Sequence, residues 1–138
     1  MHNEGLSFDY LIRAKGRLKA TEALYKEELW ADVVRESQEI VELALKGLLR
    51  ALNIEVPRVH DVSAVLEANR ERLPFVIEQS LEEIVDISQN LRRDRELAFC
   101  GSEDVTPHQF YKKKHATSAR KQSERIVDLC FKALKISS

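Results

Sequence analysis

Apolar residues along this chain recur every three to four positions, the period of an α-helix with one face buried. The strongest run lies between Trp30 and Leu52. There Trp30, Val33, Val34, Ile40, Val41, Ala44, Leu45, Leu48, Leu49 and Leu52 form two adjacent stripes broken only by Ser37. A helix apolar over so wide an arc packs on more than one side, so this one is predicted to be central. Before it, Phe8, Leu11, Ile12, Lys15, Leu18 and Tyr25 mark one buried stripe on a helix from about Ser7 to Glu27. After it, Ile77, Leu81, Ile84, Ser88, Leu91, Arg95 and Ala98 step alternately by four and three, which keeps them on one face. A last helix buries Ala119, Ser123, Ile126, Val127, Cys130, Ala133 and Leu134.

The punctuation between these stripes agrees with them. Residues 53–60 contain Pro57 and read as the main loop. Asp61 can cap a shorter helix running through Val62, Val65 and Leu66 to about Arg72. Pro74 starts the long helix that carries Arg95, and Gly101 ends it. Thr106, Pro107 and Gln109 give the final helix an N-cap, a proline at its first position and the return bond of a capping box. No segment alternates with the period of a strand, and there is no repeat or linker. The prediction is an all-α, up-and-down helical bundle of four long helices and one short one, a single domain over residues 1–138.

Composition narrows the function more than it names it. With 43% hydrophobic and 33% charged residues, 4 Gly and 3 Pro, the 138-residue chain can bury a core and is not of disordered type. A formal net charge of −1 gives no bulk attraction to nucleic acid, so any such binding needs a local patch. Cys100 and Cys130 lack CxxC spacing, no signal pattern opens the chain and no apolar run could span a bilayer. A cytoplasmic protein with reduced, partly buried thiols is expected. His2, His60, His108 and His115 are scattered, and the glycines at 5, 16, 47 and 101 stand alone. Neither a metal site nor a phosphate-cradling loop is predicted, and no cofactor is implied.

Arg95 breaks the pattern, because a guanidinium falls on or beside a seam that should be apolar. Such a group is costly unless it pairs, snorkels out from the edge, or lines a cleft or interface. Around it stand Arg92 and Arg93, and in the final helix Lys112, Lys113, Lys114, Arg120 and Lys121. Antiparallel neighbours would bring these together as a cationic rim; otherwise they form a solvated face balanced by Asp94, Glu96, Glu103 and Asp104. Phe110 and Tyr111 can serve as base-stacking rings or as core residues. Cys100, beside the arginines, is a weaker candidate for a reactive thiol.

Residues 30–49, and above all Glu42-Leu43-Ala44-Leu45-Lys46-Gly47-Leu48-Leu49, resemble the hallmark helix of HEPN domains (higher eukaryote and prokaryote nucleotide-binding). Val56-Pro57-Arg58-Val59-His60-Asp61-Val62 is similar to that family's loop motif. The resemblance implies a bundle that pairs as a homodimer, with residues of the fourth helix facing a shared cleft. Many members are metal-independent ribonucleases, often toxins neutralised by a small nucleotidyltransferase. Their active sites carry Arg, a polar residue, then His after a spacer of four to six. Arg95-Glu96 or Arg93-Asp94 can supply the first two positions, but Ala98, Phe99, Cys100, Gly101 and Ser102 leave the histidine missing. His108 lies beyond the helix end and does not fill the motif.

Three functions follow. The first is a non-catalytic or divergent subunit that binds nucleotide, RNA or a partner protein through Arg92, Arg93, Arg95, Lys112 and Lys113, acting with a separate nucleotidyltransferase. The second is a metal-independent ribonuclease in which Arg95 clamps the phosphate and Glu96, His108 or His115 replaces the missing base. The third is a purely structural dimeric subunit in which Arg95 pairs internally with Glu36 or Glu39.

Overall fold

This computed structural model describes residues 2–56, 58, 61–100 and 106–136; the side chains of residues 2–4 and 94–100 lie outside the description. The described residues form α1 (His2–Lys26), α2 (Trp30–Ala51), α3 (Val62–Ala68), a 3-10 turn (Arg70–Arg72), α4 (Phe75–Gln79), α5 (Leu81–Cys100), α6 (Pro107–Phe110) and α7 (Lys113–Ala133), with no strand among them. The four long helices are the expected ones, and they make an all-α bundle.

The two-stripe helix is central. α2 touches α1, α3, α5, α6 and α7, and its Val33, Ile40, Ala44, Leu45, Leu48 and Leu49 are fully buried. Each such large aliphatic side chain removed from water contributes about 1.5–3 kcal/mol. Ser37, the break in the stripe, is buried with its hydroxyl unpaired among the described residues. Gly47 marks the tightest crossing: a Cβ there would lie 3.0 Å from the Tyr10 Cβ and 3.2 Å from the Ser7 carbonyl oxygen. The missing side chain lets α1 close on α2.

Three polar ties set helix directions. Arg17 of α1 donates to Glu36 at 2.7 and 3.3 Å and to Glu39 of α2 at 2.7 Å. The Tyr25 and Thr117 hydroxyls lie 2.8 Å apart and the Lys15 ammonium sits 5.3 Å over the Phe131 ring, so α1 and α7 run antiparallel. Arg125 donates to Glu83 near the start of α5 twice at 3.2 Å, while α6, which follows α5 and leads into α7, packs back on α5, so α5 and α7 are antiparallel as well. The bundle therefore runs up and down, as predicted.

The predicted stripe of α1 is corrected by rotation. Leu11 and Ala14 are buried together with Ser7 and Thr21, whereas Phe8 and Ile12 are exposed by 42% and 48%. The pattern was misread because the face toward α2 is built from small and polar side chains that let the helices approach closely.

Two predicted helices contain breaks. The stripe from Ile77 to Leu91 is buried as expected, but Ser80 (φ −104°, ψ 14°) separates α4 from α5. α4 packs against α7 while α5 packs against α2, and the bend at Ser80 lets one stripe serve both. The capping box at Thr106 and Gln109 forms as predicted, with bonds of 2.9 and 3.2 Å, yet it opens only α6. Tyr111 and Lys112 are extended, and the Tyr111 ring turns into the core at 1% exposure. The expected helix end at Gly101 lies outside the described residues. No described helix is long and apolar enough to cross a membrane.

Candidate functional site

The cationic residues singled out in the sequence lie on α5 and at the start of α7, which α6 joins. Arg92 and Arg93 occupy the outer face of α5 near its end, and α5 touches α6, which leads directly into Lys112, Lys113 and Lys114. Both arginines and all three lysines are exposed. The lysines have no carboxylate partner among the described residues. Beyond them Thr117, Ser118, Lys121 and Gln122 continue a shallow depression along α7, extending about 12 Å from Lys113 to Lys121 at the helical rise.

Arg92 lies 3.6 Å from Asp61, the N-cap of α3, whose carboxylate also accepts from the backbone N–H and hydroxyl of Ser63 at 3.0 and 2.9 Å. With 48% of the arginine and 27% of the aspartate side chain exposed, the pair contributes about 1 kcal/mol at most. It orients the guanidinium without neutralising the rim. Arg93 donates to the Asn90 side-chain oxygen at 3.3 Å.

An aromatic cluster sits beside the lysines. Phe110, 46% exposed, stacks on His115 with ring centroids 5.9 Å apart and planes at 15°. Tyr111 meets both rings edge-on at 4.9 and 5.4 Å. The two rings thus divide the roles left open by the sequence: Tyr111 is core and Phe110 faces solvent. The Lys112 backbone N–H donates to His115 Nδ1 at 2.9 Å, capping α7 with an imidazole. That bond assigns the neutral ring's proton to Nε2, so outward the ring offers a donor. Sequence reasoning missed this cap; the signal was the Lys112-x-x-His115 spacing, with the acceptor three residues into the helix.

The side chains of Arg95 and Glu96 lie outside the described residues; the backbone places both positions in the closing turns of α5. Glu36 and Glu39, the carboxylates proposed as internal partners for Arg95, are bound by Arg17. Burial lowers the Arg17 proton affinity, but its bonds and attraction to Glu36 and Glu39 outweigh this and raise it, so the guanidinium is firmly charged. His108 is exposed in the first turn of α6. His60 lies outside the described residues. Among the described residues no three His, Cys, Asp or Glu side chains converge as metal ligands would. Cys130 is buried, its thiol 3.7 Å from the Ala44 carbonyl oxygen, and burial pushes it up to about 12, far from a reactive thiolate.

A helical bundle with a cationic, aromatic-edged end is the class that this geometry defines. Residues 8–134 match the family model described as HEPN domain, and the chain belongs to that family. No curated protein and no solved structure matches it.

Proposed function

We propose that this HEPN chain binds RNA through the phosphates and does not cleave it. The observation that carries the reading is the exposed Lys112–Lys114 run, without carboxylate partners among the described residues, which follows α6 where it packs against α5, the helix of Arg92 and Arg93. Cations so placed gain affinity by releasing the counterions of a phosphate backbone, and Phe110 offers a π-face to an unpaired base. Arg95 in the last turns of α5 belongs to the same proposed surface. Two features favour binding over hydrolysis. The family's histidine is absent after Arg95-Glu96, and the described His115 commits Nδ1 to the backbone and presents a donor where a general base needs an open lone pair. Pairing of two copies, and action beside a separate nucleotidyltransferase, are parts of the proposal that rest on the family alone.

The test is fluorescence anisotropy of labelled single-stranded RNA with the purified chain in EDTA, followed by electrophoresis of the same RNA. Binding with intact RNA is expected, weakened by joint replacement of Lys112, Lys113 and Lys114 with alanine. RNA cut in EDTA by the wild type and spared by Arg95→Ala would restore the ribonuclease reading. Absence of binding at low salt would remove the proposal.

A further inference from the structure

A groove of about 320 Å³ lies between α1 and α7, at the lower end of the roughly 300–1,000 Å³ of small-molecule pockets. Its floor is apolar, from Leu18, Val127 and Phe131. Its walls are charged, and the antiparallel register fixed at Tyr25–Thr117 and Lys15–Phe131 sets the charges level with one another. Lys19 falls within a turn of Glu124, and Glu22 of Arg120. Neither pair closes to an ion pair across the groove. Glu22 and Asp128 are taken up by lysines on their own helices, Lys26 and Lys132, at 3.2 and 3.1 Å. Lys19, Glu124 and Arg120 have no ionic partner among the described residues. The Arg120 guanidinium lies 5.0 Å over the Tyr25 ring, and its Nε is buried without a hydrogen bond.

Charge and apolar surface are unevenly spread along this groove. Lys19, Glu124 and Arg120 stand within about one turn of each other, two cations and one carboxylate without partners. Val127 and Phe131 follow Glu124 by one and two turns on the same face of α7. The floor therefore runs from the unpaired charges toward Lys15, whose ammonium lies 5.3 Å over the Phe131 ring. A small molecule that answers all of these groups carries an anion and a cation side by side, with an apolar body to one side of them. A plain apolar acid would set its carboxylate near Glu124 with nothing to offset it. A plain apolar amine would meet Lys19 and Arg120 in the same way.

We infer that this groove binds a free amino acid with a large apolar side chain. Its carboxylate lies between Lys19 and Arg120, its ammonium donates to Glu124, and its side chain covers Leu18, Val127 and Phe131. Burial of the side chain supplies most of the affinity, and the charges, which face solvent, supply the selectivity. The Tyr25 ring already holds Arg120 in place, so little freedom is lost when the carboxylate arrives. A peptide answers the site less well, because an inner residue carries neither charge and a terminal one carries only one of them. None of Arg92, Arg93 and Lys112–Lys114 lines the groove, so the inference stands apart from the RNA reading.

Titration of the isotope-labelled full chain with L-phenylalanine, followed by heteronuclear NMR, tests this. Saturable shifts are expected at Leu18, Glu124, Val127 and Phe131 and not at Lys112–Lys114. Phenylpropanoate, which lacks the ammonium, and phenethylamine, which lacks the carboxylate, should each bind about tenfold more weakly. Glu124→Gln should erase the preference over phenylpropanoate, and Lys19→Gln should reduce the preference over phenethylamine. Both positions are exposed and without ionic partners, so the two variants should melt as the wild type does. Absence of saturable shifts at the groove, either analogue binding as tightly as the amino acid, or preferences that survive both substitutions would each overturn the assignment.

Discussion

Two glycines in the long helices make opposite demands. Gly16 is exposed in the middle of α1 with nothing within 4 Å of a built Cβ, so it brings only the entropic cost of its freedom. Gly16→Ala should stabilise the chain by about 0.5–1 kcal/mol. Gly47→Ala gains the same propensity but drives a methyl against a Cβ and a backbone oxygen, neither of which moves without the helix. Overpacking of that kind costs about 1–3 kcal/mol, so a net loss is expected. Thermal melts of the two variants should shift in opposite directions. A single residue also sets an alkaline limit. The Cys130 thiol is held up to about 12 by burial, against about 8.5 in an unfolded chain. Between those values the unfolded chain releases a proton that the folded one retains. The thiol's contribution is thus intact below the unfolded value and is lost at about 1.4 kcal/mol per pH unit above it. Denaturant titrations at pH 8 and pH 10 should show a larger loss for the wild type than for Cys130→Ala; equal losses would show that the thiol is not so held.

Helix ends show what the sequence pattern conveys and what it hides. The N-caps at Asp61 and Thr106 were readable because a side-chain oxygen in the right place is the signal itself. The ends of α1 and α2 fall within one residue of the predicted Glu27 and Leu52, but the way α1, α2 and α7 are capped at their C-termini was hidden, since no glycine announces it. Each ends in a Schellman arrangement: the N–H groups of Leu29, Ile54 and Ile136 reach back to Leu24, Leu49 and Phe131, and Glu28, Asn53 and Lys135 adopt positive φ of 59°, 58° and 56°. Side chains with a Cβ lose about 1–2 kcal/mol in that conformation, asparagine least. Glu28→Gly and Lys135→Gly should therefore each raise stability by about 0.5–1 kcal/mol, and Asn53→Gly by less. Urea midpoints of the three variants check the order. The breaks at Ser80 and Tyr111 were hidden for a different reason. Both stretches keep a helical apolar rhythm, and only the demand that Ile77 face α7 and Tyr111 enter the core bends the backbone there.

Across the whole molecule the near-zero net charge hides a local excess, because Lys112, Lys113 and Lys114 stand together without carboxylate partners among the described residues. The four long helices and the central position of α2 followed from periodicity, whereas the breaks at Ser80 and at Tyr111–Lys112, which make seven α-helices among the described residues, did not. The Asp61 contact with Arg92 and the exposure of Phe110 depended on loops and on the break before α7, whereas the imidazole cap left a local signal in the Lys112-x-x-His115 spacing. If the lysine run holds phosphates, the salt dependence of RNA affinity should fall by about 0.7 in log–log slope for each lysine removed. A slope unchanged in the triple alanine variant would place the binding elsewhere. The position of α7 has one further consequence. Its partners on α1 and α2 precede it by most of the chain, as the separations of 92 residues at Tyr25–Thr117 and 86 at Ala44–Cys130 show. During synthesis the α1–α2 hairpin must therefore wait with one apolar flank uncovered until α7 leaves the ribosome, a window in which a chaperone would find its substrate.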